Sequence, residues 1–392
     1  MQRFALLTTL LALAFAPRAA RAQDVPVSPP GGPGSSALVT PADTLASGNV
    51  AASDASLGPD AERELDAAFA IVRRASLWRD TVTWSRVEPD VRAIAEGSQS
   101  AADTYPALRA LLARLGDHHS FFMRPQSAAA FGSEGAANPR ASVRVQAAGI
   151  GYVAVPAYNG GNGAAVDSYV RAAYDSLAHA VASGAGTCRW IVDLRGNTGG
   201  NMWPMLGAVR PFVGEDDLGA FVTGGIGGRP WRAGDRVRVT PPPSLHRLDS
   251  ANVAVLVDSR TASSGEATAI AFIGRARTRT FGVPTAGLST GNLPMSLPDG
   301  AMLVVTTTVD ADRTGKVYSD GITPDEVILG VPIDAPGYSH DDPQMERAQA
   351  WLESRSCVQL PTRRRSHHRA PAATKTARRT LSDSAGTRGR RR

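Results

Sequence analysis

Val253-Ala-Val-Leu-Val257, then Asp258-Ser-Arg-Thr-Ala-Ser263-Ser264-Gly265-Glu266, then Ala267-Thr-Ala-Ile-Ala-Phe-Ile273, is the stretch whose reading decides the fold. The first five residues are apolar and mostly β-branched, which predicts a buried strand. The last seven are apolar and Ala-rich, which predicts a buried helix. Two adjacent serines therefore fall on the turn where a strand feeds a helix. Such a turn exposes a hydroxyl and aims the following backbone N–H groups at a developing negative charge, so it suits a nucleophile. Ser263-x-x-Glu266 also fits a capping box, which starts many helices with no chemistry attached. Both readings stand on this stretch alone.

Outward from it, strands and helices alternate. Strands are expected at 151–155, 190–194, 253–257, 279–282 and 302–309, and helices at 166–183, 202–212 and 265–274. That alternation predicts an α/β core. Ahead of it, Leu65, Phe69 and Val72 share one face of a helix expected over 61–75. A short helix is expected over 89–96, with its proline in the first turn. A third is expected over 105–115, with Leu108, Leu111, Leu112 and Leu115 at helical spacing.

The ends have a different composition. Met1-Gln-Arg3 followed by the apolar run Phe4 to Ala16, with Ala20-Arg21-Ala22 behind it, predicts a secretory signal over 1–22. No later apolar run approaches the roughly 20 residues of a membrane span. Residues 23–57 are rich in Pro, Gly, Ser and Ala and read as a linker. Of the chain's net charge of +6, the eleven Lys/Arg and single Asp of 363–392 contribute +10, leaving the rest at −4. The basic character is thus a tail, of a composition that is usually solvated. It suits contact with anionic surfaces, and no nucleic-acid partner is expected for the body of the chain. Cys188 and Cys357 are the two cysteines. In an oxidising compartment they are free to pair, but sequence does not give their separation.

Three further segments bear on the chemistry. Trp190-Ile-Val-Asp193-Leu-Arg195-Gly196-Asn197-Thr-Gly199-Gly200-Asn201 is a strand, a glycine-rich turn and a helix start. Its adjacent glycines let the backbone approach a ligand closely, and its N–H groups suit an anion. The same pattern serves a tight turn with no ligand. Leu115-Gly-Asp117-His118-His119-Ser120 follows the third helix. Histidines there can simply cap carbonyls. Gly315 to Asp325 alone reads as a polar turn before a strand. There is no His-Glu-x-x-His and no nucleotide-binding glycine loop.

Together the four segments resemble peptidase family S41, the serine peptidases that include C-terminal processing and tricorn core proteases. The family's Asp-Leu-Arg-x-Asn-x-Gly-Gly matches Asp193 to Gly200. Its [ST]-x-Ser-x-[AG]-Glu turn matches Thr261 to Glu266, its Leu-x-Asp-x-His-[ST] element matches Leu115 to Ser120, and its Gly-[IV]-x-Pro-Asp matches Gly321 to Asp325. The resemblance implies a crotonase-like (ClpP/crotonase) α/β core over 140–357, behind a helical region at 58–125 that carries the catalytic histidine. It implies Ser263 as nucleophile, His119 as general base, and an oxyanion hole from the backbone of Gly199 or Gly200 and of Ser264. It implies protein or peptide substrates and no metal or organic cofactor. One family branch uses a lysine about 25 residues after the serine. Leu288 stands there, and the chain has only Lys316 and Lys375. The branch with a histidine base places an acid just before Gly-[IV]-x-Pro-Asp. No Glu is present, and Asp320 is the nearest candidate for the third triad member, out of the usual register. A PDZ domain has no room between His119 and Asp193, where about 30 residues remain outside the expected strand and helix. The expected product is an exported, periplasmic or extracellular, serine peptidase. The alternatives are an S41-like binding protein for a peptide or apolar ligand, and a secreted serine esterase.

Overall fold

A computed structural model of the chain describes residues 56–131, 138–161, 163–183, 188–224, 228–329 and 342–357. The expected signal, nearly all of the expected linker and the basic tail lie outside the described residues.

In chain order the elements are helices α1 (Pro59–Ala75), α2 (Trp84–Ile94) and α3 (Tyr105–Ala113), strand β1 (Phe121–Met123), α4 (Pro125–Ala130), β2 (Ser142–Val145), β3 (Gly151–Ala154), α5 (Gly163–Ala182), β4 (Arg189–Asp193), α6 (Met202–Val213), β5 (Gly219–Val222), β6 (Gly228–Trp231), β7 (Asn252–Val257), α7 (Ser264–Ile270), β8 (Thr278–Gly282), β9 (Thr290–Ser296), β10 (Met302–Asp312), β11 (Val317–Tyr318), β12 (Glu326–Val327) and α8 (Pro343–Glu353). This is a mixed α/β fold with two sheets.

The first sheet runs β12-β8-β7-β4-β3-β2. Its pairings are parallel except for β2 with β3. Both faces of its centre are covered, so β7 is buried at all six positions and reads as a continuous apolar run. Side chains alternate between the faces. Trp190, Val192, Val253 and Val255 pack with Val170 and Leu177 of α5 and Leu206 and Phe212 of α6. Ile191, Ala254, Leu256 and Phe281 pack on the other side with Met345, Trp351 and Leu352 of α8.

The second sheet is antiparallel, and of its strands only β10 was expected, at 302–309. Its order is β1-β10-β5-β6, with β9 and β11 also paired to β10. It reaches the helical region directly. Leu65, Phe69, Val91, Leu108 and Leu111 share one apolar cluster with Leu297, Leu303 and Val305. Burial of that order stabilises by about 1.5–3 kcal/mol per large side chain, which ties α1 to α3 to the sheet rather than leaving them a separate lobe.

Several boundaries differ from expectation. Helix α2 starts at Trp84, because the amides of Arg86 and Val87 reach the Thr83 carbonyl, and Pro89 is therefore interior. Helix α7 ends at Ile270 rather than Gly274. Cys188 and Cys357 are joined, with Cα atoms 5.5 Å apart. Among the described residues no helix is long and apolar enough to cross a membrane.

Candidate active site

The site begins where β7 ends. Asp258 Oδ1 accepts the amides of Gly196 (3.0 Å) and Thr261 (2.9 Å), and Thr261 Oγ1 donates to the Leu194 carbonyl at 2.9 Å. The turn after β7 is thereby stitched to the turn after β4. Two residues beyond Thr261, Ser263 has φ 52° and ψ −121°. That is a left-handed backbone on a residue with a side chain, a conformation costing on the order of 1–3 kcal/mol and held only where its surroundings over-determine it. Glu266 supplies that restraint. It is fully buried and accepts the Ser263 amide at 2.8 Å, Thr285 Oγ1 at 2.5 Å, and the Gly287 and Leu288 amides at 3.0 and 2.9 Å. Burial raises its pKa above the ordinary carboxylate value, and the four donors work against that rise. The capping-box pattern thus has a wider reach than one helix end. It fixes the strained serine and the 285–288 segment together.

The glycine-rich turn packs against the serine. A Cβ on Gly199 (φ 96°) would lie 2.8 Å from Ser263 Cβ and 2.8 Å from the Ala262 carbonyl. One on Gly200 (φ 110°) would lie 2.1 Å from the Tyr158 carbonyl. Only glycine allows these approaches. Asn197 is buried and holds the turn, accepting the Gly199 amide at 2.9 Å and donating to the Val155 carbonyl at 2.8 Å. The Gly199 amide is therefore committed to Asn197. The amides of Gly200 and Ser264 have no acceptor among the described residues. Ser264 Oγ donates to the Gly200 carbonyl at 2.6 Å, which ties the second hydroxyl to the glycine turn, while the Ser263 side chain faces the Glu266 amide in the capping box.

His119 comes from the other side. Past α3, Asp117 Oδ1 accepts the amides of His119 (2.9 Å) and Ser120 (2.5 Å), and Ser120 Oγ donates to Asp117 Oδ2 at 2.8 Å. Asn292 Nδ2 donates to the His119 carbonyl at 2.7 Å. The ring Nδ1 lies 2.6 Å from Thr290 Oγ1. Burial lowers the His119 pKa, opposed by the Asp117 charge. The imidazole is thus biased to its neutral, basic form. His118 beside it is exposed. The link to the serine runs through one segment: the Ala286 amide donates to Thr261, the Leu288 amide to Glu266, and the Thr290 amide to the Leu288 carbonyl at 2.8 Å.

Other expected residues fall elsewhere. Asp320 is exposed, and its carboxylate takes the Ser319 hydroxyl at 3.1 Å. No hydrogen bond joins it to His119, whose Nδ1 meets a threonine instead. The nearby backbone does approach the site, since a Cβ on Gly321 would lie 2.8 Å from Gly287 Cα. Asp193 and Arg195 form a buried brace: Arg195 is paired with Asp193 at 2.7 Å and with Asp342, the N-cap of α8, at 2.8 Å. Asp325 accepts the amide and hydroxyl of Thr280, fastening β12 beside β8. Thr290 and Asn292 were missed because Ser289-Thr-Gly-Asn292 reads as a loop. The pairing with β10 makes it strand, and that partner is set by tertiary structure.

Residues 149–328 match the family model of peptidase family S41. The chain is 27% identical over 278 residues to a nisin-resistance protein of Lactococcus lactis subsp. lactis, over 68% of this chain and 83% of that one. Its fold is similar to that of a lipoprotein from Streptococcus agalactiae, with TM-score 0.60 and 22% identity over 76% of this chain and 98% of the other. It is also similar to the photosystem II D1 C-terminal processing protease, with TM-score 0.50 and 16% identity over 68% and 93% of the two chains.

Proposed function

We infer that this chain, whose residues 149–328 belong to peptidase family S41, is an exported serine peptidase acting through Ser263 and His119. The observation that carries the reading is the strained backbone of Ser263, φ 52° and ψ −121°, beside two amides that have no acceptor among the described residues. Such strain on a strand-to-helix turn is maintained at a nucleophile and has no use in an ordinary cap.

In this reading the reaction runs through Ser263 and His119. His119, whose burial favours the neutral imidazole, takes the proton of Ser263 as its oxygen attacks the peptide carbonyl. The amides of Gly200 and Ser264 receive the tetrahedral oxyanion, and Gly199 contributes the space for close approach. One such donor is typically worth about 10²–10³ in rate. The protonated His119 then gives its proton to the leaving amine, and water releases the acyl group by the reverse sequence.

The parallel sheet with helices on both faces supports the crotonase-like core, and the region 58–125 is the part that delivers the histidine. The Cys188–Cys357 disulfide supports an oxidising destination and, with the predicted signal at 1–22, export to the periplasm or beyond. The name of the Lactococcus relative offers nisin as a first peptide to try. Purified mature protein is incubated with nisin and with casein, beside Ser263→Ala, and the products are read by mass spectrometry. Cleavage by the wild type alone supports a peptidase. Turnover of p-nitrophenyl esters with no peptide cleavage moves the assignment to an esterase, and no turnover with retained peptide binding moves it to a binding protein.

A further inference from the structure

We propose that Thr290 is the positioning residue of His119, taking the place that a carboxylate holds in a Ser–His–Asp triad. The proposal rests on the serine-peptidase reading above.

A histidine that acts as general base needs one ring nitrogen fixed as a donor so that the other presents a lone pair. Nδ1 of His119 lies 2.6 Å from Thr290 Oγ1, which is hydrogen-bond distance with either atom as donor. With Nδ1–H donating to the threonine oxygen, Nε2 keeps its lone pair for the serine proton. Thr290 is well placed to hold that geometry. It is 9% exposed, its amide donates to the Leu288 carbonyl, and it is paired with Val309 of β10. Two residues along the same strand face, Asn292 donates to the carbonyl of the same histidine. One strand thus grips His119 by ring and by main chain.

Two of the carboxylates around the site, Asp117 and Glu266, are engaged elsewhere. Asp117 binds the amides of His119 and Ser120 and the Ser120 hydroxyl. Glu266 holds the Ser263 turn and the 285–288 segment through four hydrogen bonds. Asp310 is buried on β10 beside Ser289, whose carbonyl takes its amide, and Asp320 is exposed. Among the described residues none of them bonds the His119 ring.

A hydroxyl differs from a carboxylate in a measurable way. A carboxylate only accepts, whereas a hydroxyl selects the tautomer only while it accepts from Nδ1–H, and only the carboxylate stabilises the imidazolium by its charge. A neutral partner leaves burial as the leading influence on the ring, which holds the His119 pKa below its ordinary 6.5. The acid limb of kcat/KM is therefore expected below that value, and a charge placed at position 290 is expected to raise it.

The test compares wild type with Thr290→Val, Thr290→Ser and Thr290→Asp, using peptide hydrolysis across pH and near-ultraviolet circular dichroism to establish folding. Thr290→Val preserves β-branched shape and removes the hydrogen bond. It is expected to lower kcat by about tenfold to a hundredfold with KM little changed. Thr290→Ser restores most of that loss. Thr290→Asp shifts the acid limb upward by about one unit or more, the direction set by an opposite charge near an imidazolium. A folded Thr290→Val with wild-type kcat and pH profile overturns the proposal while leaving the peptidase reading intact. A wild type that cleaves no peptide overturns the peptidase reading, and the acid limb of ester turnover then decides for or against Thr290. If Thr290→Val does not fold, the Ser and Asp variants decide: an unmoved acid limb in a folded Thr290→Asp contradicts the proposal.

Discussion

At the residue scale, the site depends on backbone placement as much as on side-chain chemistry. Ser263 is held at φ 52° by partners that each have a second task. Glu266 is the clearest case, since one of its oxygens takes Ser263 and Leu288 amides while the other takes Thr285 Oγ1 and the Gly287 amide. Glu266→Gln keeps the shape and replaces one oxygen by an NH₂ group that faces donors. The loss of two hydrogen bonds to a buried carboxylate is expected to destabilise by about 2–4 kcal/mol. Activity is expected to fall further than stability requires, because the Ser263 turn relaxes. Urea unfolding beside single-turnover acylation of the folded variant checks both halves. Wild-type acylation in a destabilised variant would show that Glu266 is a helix cap and nothing more. The Ser-x-x-Glu spacing was visible in the sequence, as were His119 and the two glycines. Which of the two glycine amides Asn197 claims was not, because that depends on how the tight turn folds.

At the scale of elements, the alternation of strand and helix was legible wherever the apolar run was long and buried on both faces, as in β4 and β7. Of the antiparallel sheet only β10 was legible, for a physical reason. β9 carries Gly291 and Pro294, which read as turn residues, and its strand character comes from pairing with β10. Its loss from the reading hid Thr290 and Asn292, and left Asp320 as the nearest acid in sequence. The last helix, α8, also depends on long-range ties. Asp342 caps it and pairs with Arg195, Arg189 donates to the carbonyls of Glu353 and Arg355, and Cys357 just beyond it is bonded to Cys188 ahead of β4. The disulfide spans 169 residues, a loop whose closure entropy corresponds to an upper value of about 5 kcal/mol. Cys188→Ser with Cys357→Ser is expected to lower the unfolding midpoint clearly while leaving peptide cleavage intact at low temperature, since neither residue approaches Ser263. An unchanged midpoint would mean that Arg189 and Arg195 suffice to hold the helix.

At the scale of the whole molecule, buried carboxyl groups predict how stability follows pH. Asp310 is 1% exposed, its Oδ1 has no partner among the described residues, and burial with the neighbouring Glu266 charge pushes its pKa from 3.8 to about 7. Glu64, buried under the β9–β10 turn beside Asp299, is raised in the same direction by burial first and by Asp299 second. A carboxyl whose folded pKa is raised favours the fold while it is protonated. Its contribution is complete below the unfolded value and is lost as pH rises through the folded one. Stability is therefore expected to decline between about pH 4 and pH 7 and to level off above. Asp310→Asn is expected to flatten that decline and to raise the unfolding midpoint at pH 8. Thermal unfolding of both proteins across this range checks it, and parallel pH curves would rule Asp310 out as the source.

The central claim is that Ser263, and not its neighbour, is an activated nucleophile with His119 as its base. Labelling of the purified protein by a fluorophosphonate tests it most directly, with Ser263→Ala, Ser264→Ala and His119→Ala alongside. The account predicts stoichiometric labelling mapped to Ser263, retained in Ser264→Ala and lost in the other two. A folded wild type that takes no label, or labelling that survives Ser263→Ala, would contradict it.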